Sequence, residues 1–149
     1  MYLFFDTETA GLPANYKAPV TDSKNWPRLV QIAWNFAQAD GTVEPLVTRI
    51  VKPDGYTIPE AASKLHGITT EIAMDEGEEL SVVLRDFLRD VDRATDLVGH
   101  NIEFDMNIIG AELHRLNVTH SMLSKKQICT MKASTEYCKL PGNYGYKWP

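Results

Sequence analysis

The chain has 149 residues, of which 44% are hydrophobic, 15 are Lys or Arg and 20 are Asp or Glu, for a formal charge of −5. That composition excludes disorder, collagen and a cystine framework, and a chain of this size buries roughly 70% of the surface its unfolded form exposes, so folding needs no disulfide or metal staple. No apolar run approaches the ~20 residues of a membrane span and no cationic start leads into an apolar stretch, which sets the expectation of a soluble, cytoplasmic protein with no membrane partner.

Tyr2 to Phe5 is apolar on both faces, the pattern of a strand inside a covered sheet, and it ends in Asp6-Thr7-Glu8-Thr9. A turn at Ala10-Gly11-Leu12-Pro13 opens a long polar loop reaching Arg28. Leu29 to Gln38 alternates Val30, Ile32, Trp34 and Phe36 against polar or small neighbours, and Asp40-Gly41 predicts a hairpin into a third strand from Pro45 to Val51. Pro59 to Gly67 is a short helix with Pro at its start and Gly past its end, and Thr69 caps a further short turn. Glu78 to Arg93 is the clearest helix, because Leu80, Val83, Leu84, Phe87, Leu88 and Val91 share one face. Asp96 to Gly99 is a short buried strand. Asn101 stands where it would cap a helix reaching about Leu116, and Ile128 to Met131 is a fifth strand.

Three strands in a meander, then helix, strand, helix, strand, define an α/β domain. Right-handed crossovers put the fourth strand beside the first and the fifth beyond it, giving a mixed five-stranded sheet of order 3-2-1-4-5 flanked by helices. A site is expected at the strand ends.

Asp6 and Glu8 stand two apart on a strand, so both carboxylates point to one face. Alone, such a pair reads as a solvated strand end. Asp105, three and four residues before Ile108 and Ile109, lies on the helix stripe that faces the sheet. If the first and fourth strands are neighbours, Asp105 comes down beside Asp6 and Glu8. Three carboxylates with no resident Lys or Arg suit Mg²⁺ or Mn²⁺, which favour oxygen ligands.

His114 and His120 read as solvated and His100 as structural, while His66 either caps its turn or donates to a phosphate or sugar. Cys129 and Cys138 read as reduced thiols. The charge is uneven. Residues 1–124 hold 10 basic and 19 acidic side chains, net −9, whereas residues 125–149 hold five lysines against Glu136, net +4. In that basic tail Tyr144, Tyr146 and Trp148 stand beside Lys139 and Lys147, as a base-stacking segment or as an ordinary loop.

Phe4 to Pro13, Leu29 to Trp34, Leu65 to Thr69 and His100 to Asp105 together resemble, in order along the chain, the motifs of the DEDD superfamily of 3′→5′ exonucleases, in the branch typified by the proofreading epsilon subunit of bacterial DNA polymerase III. The resemblance implies a ribonuclease-H-like fold and a nucleic-acid exonuclease that uses two Mg²⁺ or Mn²⁺ ions on single-stranded 3′ ends, with a polymerase subunit as a further partner. It implies Asp6, Glu8 and Asp105 as metal ligands and catalytic groups. Leu12 matches the wedge against the terminal bases, Leu65, His66 and Phe104 match the nucleotide pocket, and Thr7 and Asn101 fall within the motifs as substrate contacts. The family's third motif, a general-base His followed five residues later by a fourth metal-binding Asp, has no counterpart, since no H-x-x-x-x-D follows Asp105. The resemblance therefore implies a single domain over 1–149, lacking the C-terminal helices and of weak activity as it stands. Two other classes are a non-catalytic module of the same fold that binds nucleic-acid ends or a polymerase, and a phosphohydrolase of small nucleotides.

Overall fold

The computed structural model describes residues 1–149. Strands Tyr2–Thr9 (β1), Leu29–Ala37 (β2), Val47–Ile50 (β3), Asp96–Gly99 (β4) and Lys126–Cys129 (β5) form one sheet in the order β3-β2-β1-β4-β5, as the element order predicts. β1 runs antiparallel to β2, with Phe5 opposite Trp34 and Asp6 opposite Ala33. It runs parallel to β4, with Phe4 opposite Val98. Around the sheet lie helices α1 (Glu60–His66), α2 (Thr70–Glu76), α3 (Leu80–Arg93), α4 (Glu103–Arg115) and α5 (Thr130–Cys138). A small hairpin, β6 (Pro141–Gly142) and β7 (Gly145–Tyr146), follows α5. No helix is long and apolar enough to cross a membrane.

The main core lies on the sheet face carrying Leu3, Phe5, Ile32, Trp34 and Phe36, against the apolar stripes of α3 and α4. Phe87 of α3 sits at its centre, 5.3 Å from the Phe5 ring and 5.4 Å from that of Trp34. The pairing of β1 with β2 slips by one residue beside Glu8, so that Glu8 faces Gln31 and Thr9 faces Leu29. A residue inserted on one strand of a pair reverses the inside-outside alternation beyond it. Leu29 accordingly joins the main core, while Val30 joins Ile58, Ala62, Ile68 and Ala73 under α1 and α2. The cover expected on both faces of β1 is found on one only: Phe4 and Leu46 are exposed on the opposite face.

α4 is fixed in rotation by a buried acid. Glu112, fully buried, accepts from the Leu29 N–H at 2.9 Å and from Arg28 Nε at 3.0 Å, and its Oε1 lies 3.1 Å from an Arg115 nitrogen. Arg28 stacks 4.5 Å from the Tyr56 ring, and the Tyr56 hydroxyl donates to the Leu29 carbonyl. These bonds tie α4 to the start of β2.

Four local expectations are corrected. Asn101 does not cap α4 with its side chain; it adopts a left-handed conformation, φ 57°, and turns the chain from β4 into the helix, a conformation Asn tolerates better than most residues. The fifth strand begins at Lys126, two residues earlier than expected, and Thr130 and Met131 already belong to α5. Thr69 opens a two-turn helix, its hydroxyl accepting from the Ile72 N–H. His120 is largely buried, accepts from the Met122 N–H and lies 3.2 Å from Asp92.

Glu112→Ala leaves two guanidinium groups and a backbone N–H without their shared acceptor. We expect it to lower the stability of the fold by roughly 3 kcal/mol or more, read as a fall in the denaturant midpoint at unchanged slope.

Candidate active site

Asp6 and Glu8 point to the face of β1 opposite Thr7, whose side chain turns into the core. β4 pairs with β1 only as far as Phe4, so the Thr7 N–H lies beyond that ladder. Asp105, in the first turn of α4 and 2% exposed, takes its place. Asp105 Oδ1 accepts the Thr7 N–H at 2.9 Å and the Thr7 hydroxyl at 2.6 Å. The residue between the two strand acids thus holds the third.

Burial, with the Asp6 charge adding to it, pushes the Asp105 carboxyl up to about 7, against the Thr7 hydrogen bonds, which oppose the rise. Partial desolvation also raises the Asp6 carboxyl, against the Thr7 backbone and the His100 ring, which lower it. None of Asp6, Glu8 and Asp105 is in an ion pair. The donors are therefore carboxylate oxygens with uncompensated charge, the chemistry that Mg²⁺ and Mn²⁺ prefer. They are not drawn into one preassembled group: no set of three or more His, Cys, Asp and Glu side chains is arranged to hold a metal. Like charges repel, and Asp105 is instead satisfied by Thr7.

A cleft of about 490 Å³ adjoins Glu8 and gathers five of the six expected substrate contacts: Thr7, Leu12, Leu65, His66 and Phe104. Leu12 and Leu65 stand 75% and 88% exposed on its walls. Of the two readings of His66, the turn cap is present. Its Nδ1 accepts the Ile68 N–H at 3.1 Å, capping the turn, which places the proton of the neutral ring on Nε2. That Nε2 is buried and has no partner in the protein.

Asp6 opens on the other side, into a hollow shared with Phe4, Val98, His100 and Thr130. Asn101 lies apart from both, in a groove with Met106, Cys129 and Lys132. His100, read from sequence as structural, lies 3.2 Å from Thr130 Oγ1 and acts electrostatically on Asp6. Its position just past β4, the parallel neighbour of β1, is the signal that could have revealed it.

The RNase_T family model, described as an exonuclease, matches residues 3–147. Among solved structures the chain is similar to E. coli exonuclease I in complex with a dT13 oligonucleotide, at 17% identity and a TM-score of 0.75, over 98% of this chain and 33% of that one. It is similar to the zinc-bound form of an E. coli exonuclease I complex with single-stranded DNA, at 18% identity and a TM-score of 0.74, over 97% and 32%. A product-bound exonuclease I matches at 20% identity and a TM-score of 0.73, over 99% and 34%. The chain thus spans about a third of the length of these proteins. No curated protein sequence matches it.

The Asp105 carboxyl titrates near 7 in the folded chain against about 3.9 unfolded, so the native state binds its proton more tightly. Its contribution to stability is full below about pH 4 and lost as pH rises through about 7. Thr7→Val removes the hydroxyl that opposes this shift and is expected to move the Asp105 midpoint above about 7, with Thr7→Ser restoring it, as read by carboxyl ¹³C NMR titration.

Proposed function

The chain belongs to the RNase_T exonuclease family, and from that premise we propose that it removes nucleotides from single-stranded 3′ ends with two divalent ions, Mg²⁺ or Mn²⁺, held by Asp6, Glu8 and Asp105. The observation that carries this reading is the Thr7 bridge, which brings a buried helix carboxylate to a strand bearing two more, with no cation among them. Divalent ions held there supply water activation near neutral pH and stabilise the leaving 3′ oxygen. Water adds to phosphorus as the bond to the preceding 3′ oxygen breaks, that oxygen takes the proton, and a nucleoside 5′-monophosphate is released.

The protein's own groups position the strand. The terminal nucleoside enters the cleft beside Glu8, where Leu65 and Phe104 pack against its base. Leu12 wedges between it and its neighbour. His66 Nε2–H donates to an acceptor on the terminal sugar or phosphate. Thr7 holds Asp105 in place, and Asn101 turns the chain that carries it. Single-stranded DNA is the partner named for the exonuclease I structures, and a polymerase subunit acting in the same cytoplasmic compartment is a second one for this chain.

Residues 106–149 contain no H-x-x-x-x-D. We therefore read the 149 residues as one exonuclease-like domain that lacks both the general base and the fourth carboxylate. Loss of a general base alone costs ~10²- to 10⁴-fold in rate. A second reading is a non-catalytic module of this fold that binds nucleic-acid ends.

Three measurements separate the readings. The 149-residue polypeptide is expected to gain thermal stability from Mn²⁺, and Asp6→Asn to lose that gain. With excess protein and a 5′-labelled single strand, slow Mn²⁺-dependent shortening with release of 5′-monophosphates supports the enzyme. Strand binding without shortening supports the module, and fast shortening abolished by Asp6→Ala would show that the missing base is not needed.

A further inference from the structure

The last twelve residues expose more aromatic surface than any other segment. Tyr144, at the tip of the β6–β7 hairpin, is fully exposed, Trp148 is 61% exposed, and Tyr146 is also exposed. The hairpin is an ordered element: Pro141 pairs with Tyr146, Gly142 with Gly145, and the Lys147 N–H donates to the Leu140 carbonyl at 3.0 Å. Gly142 leaves no room for a side chain, since a Cβ there would lie 2.7 Å from the Gly145 carbonyl oxygen. The rings are thus presented on a closed turn.

The charge around these rings is positive. Lys125 donates to the Ala94 carbonyl, Lys126 pairs with Asp96 and Lys132 lies near Glu103. Lys139 and Lys147, which flank the hairpin, are in no ion pair, and Glu136 is the one acid of residues 125–149. Exposed rings interleaved with free ammonium groups match a single nucleic-acid strand, whose bases stack on any π face and whose phosphates take the cations.

Position decides what this surface serves. The Pro149 carbonyl lies 3.3 Å from His100 Nε2, and His100 shares the hollow of Asp6. Along β1 that hollow adjoins Asp6 on one side, and the cleft with Leu12 and Leu65 adjoins Glu8 on the other. A strand with its terminal nucleoside in the cleft and its last phosphate at the carboxylates leaves toward the hollow, and so toward the hairpin.

We infer that the Tyr144, Tyr146 and Trp148 rings with Lys139 and Lys147 form an auxiliary platform for the single strand upstream of the nucleotide at the carboxylates. This rests on the exonuclease reading for its direction, and its own signature is length-dependent binding that needs no metal. Occupancy is visible at Trp148, because Trp26 and Trp34 are each 2% exposed.

Oligothymidylates of about four and about twelve nucleotides, 5′-labelled, are titrated into the 149-residue chain without divalent ions and followed by anisotropy and by tryptophan quenching. The longer strand is expected to bind on the order of tenfold tighter and to quench Trp148. Tyr144→Ala with Trp148→Ala is expected to remove the length advantage, and Trp148→Phe to keep it. Lys139→Gln with Lys147→Gln is expected to flatten the salt dependence by roughly 0.7 per lysine. The Mn²⁺ thermal shift stays unchanged in all of these variants. Equal affinity for both strands, no quenching, or a length advantage that survives in the double alanine variant overturns the platform. A length advantage carried by the aromatic residues together with no Mn²⁺ shift retains the platform and removes the metal-dependent reading of the carboxylates.

Discussion

The pair of hydrogen bonds from Thr7 to Asp105 is the joint on which the arrangement turns. It connects the centre of the sheet to the first turn of α4 at the point where the β1–β4 ladder stops. A strand N–H past the end of its ladder needs another acceptor once it is buried. Asp105 supplies that acceptor, and the side-chain alternation of β1 then leaves Asp6 and Glu8 facing away from the core on either side of Thr7. Satisfying one backbone donor thereby anchors Asp105 to the strand that carries Asp6 and Glu8.

α4 carries two buried carboxylates on one stripe, Asp105 and, two turns on, Glu112. Their surroundings differ in kind. Glu112 meets two guanidinium groups and a backbone N–H, so its charge is compensated within the fold. Asp105 meets a hydroxyl and an N–H but no cation, and burial, with the Asp6 charge adding to it, pushes its carboxyl toward neutrality. Glu112 thus has its counter-ions in place within the fold, whereas Asp105 is left without any. Glu112 also sets the rotation of α4 and with it the side on which Asp105 emerges. The stable acid positions the unstable one.

What was legible in the sequence follows from how many residues share a signal. The meander of β1 to β3 and the stripe of α3 are long patterns in which each apolar residue repeats the message of its neighbours, and the strand order followed from them. Asp105 was legible because Ile108 and Ile109 betray the buried face of its helix. α5 was not, since only Met131 is buried there and the helix is rich in Thr and Ser, with Ser134 and Thr135 hydroxyls bonded back to the carbonyls four residues earlier. Two-residue strands such as β6 and β7 are too short to alternate. Asn101 misled because a polar residue before a helix suits both a side-chain cap and a left-handed turn, and the sharp passage out of β4 selected the turn. The slip beside Glu8 that parts Leu29 from Val30 has no sequence mark at all, because both residues are apolar.

A net charge of −5 argues against a nucleic-acid partner only if charge acts as an average. In the folded chain much of the acidity is spoken for, as with Glu112, Asp90 beside Arg93 and Asp96 beside Lys126. The carboxylates of Asp6, Glu8 and Asp105 are in no ion pair, although they are not drawn into one group. The lysines of the last residues follow the same division: those that pack against the body are matched, and Lys139 and Lys147 are free. Uncompensated charge of the two signs is therefore sorted to two different places. A polyanion meets this surface through the local field at those places, over distances of about one Debye length, and the total charge has little say there.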